Sequence, residues 1–207
     1  MITAHLRLLD AWNPAINLTR VSDPHERATR HLLDSLVAAP HIERLLPNGG
    51  KIADLGSGGG FPGVPIAARL LSHHADLSMT LIESIGKKAR FLDAVAAASG
   101  LAPRLRVAHV RAEELTHGGS VRFDLITARA VAPLGELIRL TAPLLTPTGS
   151  LLAWKRIGSA WDTELNAAIS LIGASAVEVI AVNASALDGA LLVRVTPHQF
   201  DRGVARV

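Results

Sequence analysis

The chain has no cysteine, which excludes disulfides, thiolate zinc sites and iron–sulfur clusters. It also excludes a cysteine nucleophile, including the kind that methylates pyrimidine carbon 5. Several catalytic signatures are missing as well: there is no HExxH, no GxSxG elbow and no GxxxxGK loop followed by Ser or Thr. The Asn/Asp-Pro-Pro-Tyr/Phe tetrapeptide used on the amino group of adenine is absent too. Long hydrophobic runs are lacking. The most apolar stretch, 171–193, is broken by Glu178, Asn183 and Asp188, so no membrane span is expected. The opening MITAHLRLLD lacks the apolar region of a signal peptide, and a soluble, cytoplasmic protein is expected. The zero cysteine count fits a reducing compartment.

What is present supports a folded domain. Of 207 residues, 49% are hydrophobic and 19% charged, which places the chain outside the disordered class. The net charge of +3 is too small for a tail that coats nucleic acid, but it is unevenly spread. Residues 48–157 carry 13 basic and 8 acidic residues, while residues 158–207 carry 3 and 5. A basic middle points to a phosphate-bearing partner, with scattered solubilising charge as the alternative.

Two regions follow from the patterning. Residues 1–47 read as a helical extension, with a first helix interrupted by Pro14. Asp23 then caps a second helix with Pro24 in its first turn and Pro40 at its end. From 48 to 207 short β-like runs alternate with helix-like segments. Strands are predicted at 51–55, 78–83, 105–110, 123–128 and 150–155, with helices at 63–73, 86–99, 134–145 and 159–172. Two last runs, 176–182 and 190–196, flank Asp188-Gly189 and read as an antiparallel pair. The pattern predicts a doubly wound α/β sheet with an antiparallel edge hairpin.

The sharpest local signal is DLGSGGGFPG, residues 54–63, between a strand and a helix. Glycines permit a tight turn and close backbone approach to a ligand, and the helix start offers free N–H groups. One reading is a dinucleotide fingerprint at Gly58, Gly60 and Gly63, displaced three residues beyond the strand. The other is an acid followed by alternating glycines, Asp54, Gly56, Gly58 and Gly60, as in S-adenosylmethionine-dependent methyltransferases. An acid at the turn suits a cofactor bearing an ammonium and a sulfonium. Both readings want a carboxylate for ribose hydroxyls at the next strand end, where Glu83 stands.

Other candidates cluster at strand ends. Ala112-Glu113-Glu114 follow the third strand, whose loop faces adenine in such folds. Arg129 follows the fourth strand and is placed to hold a cofactor carboxylate or an RNA phosphate. Lys155 and Arg156 follow the fifth, and Lys87, Lys88 and Arg90 flank the exit of the second. Together these cations are expected around one mouth, as a basic funnel for nucleic acid. In the amino-terminal region Arg30, His31 and Asp34 are dense for an amphipathic helix. Arg30 and Asp34 stand at i,i+4 and form a surface pair on the plain reading, and His31 taken alone reads as a packed histidine sooner than a catalytic one. His73 and His74 lack partners at metal spacing, and no metal is expected.

Taken in order, WNPAINLTRVSDPHERATRHLLDSL, KIADLGSGGGFPGVPIA, LIESIGKKARFL, VRAEEL, FDLITARAVAPL and LLAWK resemble one family. It is the bacterial 16S rRNA guanine-N7 methyltransferases, also called glucose-inhibited division protein B. The resemblance covers about residues 8–157, and its RHLLDS and IESIGKK segments are more specific than the glycine loop. It implies a Rossmann-like class I fold with a seven-stranded sheet and S-adenosyl-L-methionine as cofactor. It implies methylation at N7 of guanine 527 in the 530 loop of 16S rRNA, and modest streptomycin resistance when activity is lost. Carried over by motif, Gly56, Phe61, Ala112, Glu113 and Arg129, with Glu83, are expected at the cofactor, and the glycine loop adds Gly58. Arg30, His31, Asp34, Arg129, Lys155 and Arg156 are expected at the RNA. No side chain is expected to act as a general base, because guanine N7 carries a lone pair and no proton. The implied partner is 16S rRNA, within the 30S subunit or an assembly intermediate, and the enzyme is expected to be a monomer. Family members carry another helix or so before the WN pair, where this chain has eleven residues. A missing stretch there would remove part of an RNA-binding or lid surface. Two alternatives remain on the residues alone: a nicotinamide-dependent oxidoreductase, or a cofactor-binding ribosome-assembly factor that does not methylate.

Overall fold

The computed structural model describes residues 1–117 and 121–197. Its centre is a sheet of β1 (Gly50–Leu55), β2 (Leu77–Glu83), β3 (Leu105–His109), β4 (Phe123–Arg129), β5 (Leu145–Arg156), β6 (Val177–Ala181) and β7 (Ala190–Val195). The spatial order is β3-β2-β1-β4-β5-β7-β6. The first five strands run parallel, and β7 alone is antiparallel, lying between β5 and β6. The expected terminal pair therefore forms, with β6 rather than β7 on the outer edge. The strand order reverses between β1 and β4, and ligands of open α/β sheets bind outside the carboxyl ends of the strands at such a point.

Helices cover both faces, which is why β1 reads as an apolar run. Its side chains alternate: Ile52 joins one core, and Ala53 and Leu55 the other. The first core is closed by α1 (Ile2–Ile16), α4 (Ala39–Leu45), α5 (Gly63–Leu70) and α6 (Gly86–Ser99), through Leu9, Ile42, Ile66 and Phe91. The second is closed by α8 (Leu134–Thr141) and α9 (Trp161–Ile172), through Leu137, Ile138, Trp161 and Ile172. The amino-terminal helices thus share a core with the sheet. Among the described residues no helix is long and apolar enough to cross a membrane.

Three local expectations change. Pro14 does not interrupt α1 but lies within it; the helix ends at Asn17, left-handed at φ 54°. The Asn13 side chain organises that exit, accepting from Leu18 N at 2.8 Å and Thr19 N at 2.9 Å. The second helix is capped as expected, with Asp23 accepting from Glu26 N at 2.8 Å. It runs as α2 (Pro24–Arg27), a π-helical segment (Ala28–Leu33) and α3 (Asp34–Leu36). Pro40 does not end it but sits in the first turn of α4, where its missing N–H costs nothing. Finally, residues expected as a loop after β3 form a short helix, α7 (Ala112–His117).

Candidate functional site

The glycine loop joins β1 to α5, and its glycines serve different sides. Gly56 and Gly58 take left-handed φ values of 68° and 54°. A Cβ on Gly58 would approach only the Gly56 carbonyl, at 3.7 Å, so this position faces open space. A Cβ on Gly60 would lie 2.8 Å from His5 Nε2, and one on Gly63 would lie 2.5 Å from Leu81 Cδ2 and 2.6 Å from Asp54 Oδ2. Gly58 thus leaves room for a ligand, while Gly56, where a Cβ would lie 2.8 Å from Val131 Cγ2, and Gly60 and Gly63 leave room for the protein itself.

Glu83 ends β2 and is buried beside the loop. Its Oε2 accepts from Gly58 N at 2.9 Å and its Oε1 from Ile85 N at 2.8 Å. Each carboxylate oxygen keeps acceptor capacity for a hydroxyl. Next to it opens a cavity of about 210 Å³, lined by Gly56, Ile82, Val110, Ala112, Glu113, Val131 and Glu136 among others. The structure therefore brings Gly56, Ala112 and Glu113 to one crevice; Gly58 and Glu83 do not line it, but Glu83 lies in the chain between the lining residues Ile82 and Ser84. A larger cavity, of about 340 Å³, lies at the opposite end of the strands against Gly49, Asp124 and Arg194.

Asp54 does not face the crevice, contrary to the reading of an acid placed for a cationic cofactor. It is fully buried; Oδ1 accepts from Thr127 Oγ1 at 2.7 Å and Oδ2 from Gly63 N at 3.2 Å. Burial pushes its pKa up to about 6 against the pull of these bonds. Asp54 is a brace between β1, β4 and the start of α5.

The amino-terminal segment closes the other side through Phe61. This ring is buried, stacked on His31 at 4.5 Å and 23°, with the Arg129 guanidinium 5.7 Å from its centroid. His31 Nδ1 faces the Arg30 carbonyl at 3.1 Å, so this nitrogen carries the proton. Nε2 then accepts from Thr19 Oγ1 at 2.8 Å, which in turn accepts from Val21 N at 3.1 Å. Burial, then the Arg129 charge, holds the imidazole below its usual pKa, in keeping with a neutral ring. His31 is a packed histidine with both nitrogens used.

Arg30 and Asp34 do not pair with each other. Arg30 reaches Glu26 at 3.6 Å on the exposed face. Asp34 turns inward and accepts from Arg129 Nη1 at 2.7 Å, while its carbonyl accepts from Trp154 Nε1 at 2.7 Å. Arg129 Nη1 also donates to the Arg30 carbonyl at 3.1 Å. Asp34 thereby fastens the amino-terminal helices to the carboxyl ends of β4 and β5.

The expected basic funnel is also reduced. Lys155 does not stand on the rim: Nζ donates to the Ala132 carbonyl at 2.9 Å and to Glu164 Oε1 at 2.5 Å, mostly buried. Arg156 remains exposed on the carboxyl edge, with one guanidinium nitrogen donating to the Asp188 carbonyl. Lys87 is exposed and Lys88 half-buried at the start of α6.

Sequence reasoning missed His5, Thr127, Trp154 and Glu164. Only His5 left a trace: it shares a helix face with Leu9, Trp12 and Ile16 and is as buried as an apolar residue. Thr127 and Trp154 act through partners 73 and 120 residues away, and Glu164 through Lys155, which only the packing of α9 brings to it.

Comparison with known proteins adds to this geometry. The chain resembles, at the level of fold, the S-adenosylmethionine-dependent methyltransferase from Agrobacterium tumefaciens (TM-score 0.56, 13% identity, 79% of this chain and 62% of that one). It resembles the precorrin 8W decarboxylase from Methanobacterium thermoautotrophicum to a similar degree (TM-score 0.55, 17% identity, 76% and 88%). These likenesses establish the Rossmann-like methyltransferase fold and nothing finer. In sequence it is 44% identical over 153 residues to the ribosomal RNA small subunit methyltransferase G of Stenotrophomonas maltophilia, covering 74% of this chain and 66% of that protein. With the enzyme of the same name from Sorangium cellulosum it shares 44% identity over 170 residues, 82% of this chain and 68% of that one. The chain thus spans about two thirds of the length of these curated relatives. A family model described as rRNA small subunit methyltransferase G matches residues 1–190, which takes in the crevice, the glycine loop and the helices fastened to them. The chain belongs to the rRNA small subunit methyltransferase G family.

Proposed function

We propose that the chain transfers a methyl group from S-adenosyl-L-methionine to N7 of a guanine in 16S rRNA, guanine 527 of the 530 loop. The observation that carries the cofactor assignment is Glu83. Its buried carboxylate is aimed by Gly58 N and Ile85 N beside a cavity at the reversal point of the sheet. This arrangement fits an adenosine: Glu83 accepts the ribose hydroxyls, and Ala112 and Glu113 border the base. Gly56 lines the cavity, and Gly58, with open space where a side chain would be, allows the backbone to lie against the cofactor. Phe61 contributes as a buried floor under His31, and Arg129 offers Nε and Nη2, since Nη1 makes both of its bonds.

When bound, S-adenosylmethionine supplies a methyl group made electrophilic by its sulfonium. Guanine N7 brings a lone pair and no proton, so the chain has only to align the two reactants. No general base is required, and neither His31 nor Asp34 is placed as one: His31 has both nitrogens bonded, and Asp34 is paired with Arg129. The amino-terminal helices form the wall that limits where the base can sit. Arg30 and Arg156, both exposed, are the proposed phosphate contacts.

The test is methyl transfer from labelled cofactor to 30S subunits and to naked 16S rRNA from a strain lacking this modification. The product is mapped by borohydride and aniline cleavage followed by primer extension. A single stop at guanine 527 is expected. Label at another base, or no label with either substrate, refutes the proposal.

A further inference from the structure

We infer that His5, near the start of α1, is a positioning residue that sets the conformation of the glycine loop and thereby the affinity for cofactor. The inference rests on the cofactor assignment proposed above.

His5 is completely buried, and its Nε2 lies 2.8 Å from the Gly59 carbonyl. A carbonyl only accepts, so Nε2 carries the proton and donates. Nδ1 is left as a buried acceptor with no partner. That is a cost to stability which a leucine, fitting the same apolar face as Leu9, would avoid. A polar group retained at such a cost calls for a return, and the bond to the loop supplies it. Burial lowers the ring's pKa to about 4, so it is a neutral donor at physiological pH.

The loop is shaped around this contact. His5 occupies the place of a Gly60 side chain, with Nε2 2.8 Å and Cε1 3.2 Å from where a Cβ would be. At Gly59 a Cβ would come within 3.2 Å of the Leu18 carbonyl and 3.6 Å of Leu9 Cδ1. Gly59 is therefore explained by α1 and the segment after it, and Gly60 by His5 together with Val64 of α5, 2.9 Å away, rather than by a ligand. On the other side of the same turn, Gly58 N donates to Glu83 and Gly60 N donates to the Ser57 carbonyl at 2.7 Å. Gly59 thus has the α1 contact on one flank and the proposed ribose site on the other. The ring also packs against Phe61, with centroids 4.8 Å apart. Without the Gly59 bond the peptide between Gly59 and Gly60 is held only from its other end, by Gly60 N on the Ser57 carbonyl, and the turn that presents Gly58 N to Glu83 is less firmly fixed.

The experiment compares wild type, His5→Leu and His5→Gln by calorimetry with S-adenosylmethionine and by urea unfolding. Leucine keeps the packing without the bond; the Gln amide can reach the Gly59 carbonyl. We expect His5→Leu to bind roughly tenfold more weakly, the scale of one unmet buried hydrogen bond. His5→Gln should return to within about threefold of wild type whatever its unfolding midpoint. Wild-type affinity in a folded His5→Leu overturns the inference, as does a His5→Gln no tighter than His5→Leu. Should His5→Leu not fold, long-range ¹⁵N–¹H spectra of the wild type decide. A neutral Nε2-protonated His5 whose signal moves on cofactor saturation supports the role, and an Nδ1-protonated or unresponsive ring overturns it. Wild type that binds no cofactor refutes the cofactor assignment itself and the inference with it.

Discussion

Replacing Asp54 by Asn separates a brace from a ligand contact. The carboxyl is raised from 3.8 to about 6 in the folded protein because it is fully buried. Between these values the native state keeps a proton that the unfolded chain has released. Stability from this group is therefore fully present below about pH 4 and is lost as pH rises through about 6. The gap is roughly 2 pH units at about 1.4 kcal/mol each, or about 3 kcal/mol. Asparagine carries no charge and titrates nowhere in this range. It also fits the bonding: its oxygen replaces Oδ2 toward Gly63 N, and its amide donates to Thr127 Oγ1. That hydroxyl then turns to the Ala53 carbonyl, already 3.3 Å away. Urea unfolding at pH 4.5 and 7.5 should show the stability of Asp54→Asn, relative to wild type, rising with pH by about 1–3 kcal/mol. Cofactor affinity should stay within about threefold, since an ordered neutral bond is worth that little and both oxygens face the protein. A difference that does not change with pH would refute the burial argument. A loss of more than tenfold in cofactor binding would refute the brace, returning Asp54 to the crevice.

The remaining expectations are simpler. Gly63→Ala places a methyl 2.5 Å from Leu81 Cδ2 and 2.6 Å from Asp54 Oδ2, and should cost about 1–3 kcal/mol in denaturant unfolding; an unchanged midpoint would contradict this packing. Gly58→Val meets open space but must hold a β-branched residue at the left-handed φ of 54°. It should lower the urea midpoint while leaving a folded protein by circular dichroism, and weaken cofactor binding in calorimetry by well over tenfold. Arg30→Ala and Arg156→Ala should each lower the salt slope of RNA binding by roughly 0.7–0.9. Lys155→Ala should leave that slope alone, because its Nζ is held by Ala132 and Glu164. Single-turnover methylation should be nearly flat from about pH 6.5 to 8.5, as a base would leave its pKa in the profile. A tenfold rise per unit that disappears in His31→Ala would show that a base exists.

Much of the fold was legible in the residues. The apolar runs that became β1, β2, β4 and the second half of β5 are buried by helices on both faces, and that burial demands a hydrophobicity that shows in the chain itself; β3, at the sheet edge, buries only Leu105 and is marked by its Leu, Val and neighbouring turn residues. The glycine loop and Glu83 were legible for a related reason: close backbone approach and a strand-end acid recur at fixed spacing whatever surrounds them. The fates of individual polar groups were not. Asp54 reads as a ligand contact until Thr127, 73 residues away, is brought against it. Asp34 reads as the partner of Arg30, four residues on, until the sheet presents Arg129, 95 residues away and far better shielded from water. Lys155 reads as a rim cation until α9 swings Glu164 beneath it. His5 reads as nothing until α1 lies across a loop 54 residues downstream. Local periodicity decides which face of an element is buried, because that depends on the chain's own geometry. Which buried donor meets which acceptor depends on how the elements pack, and only the tertiary structure decided that.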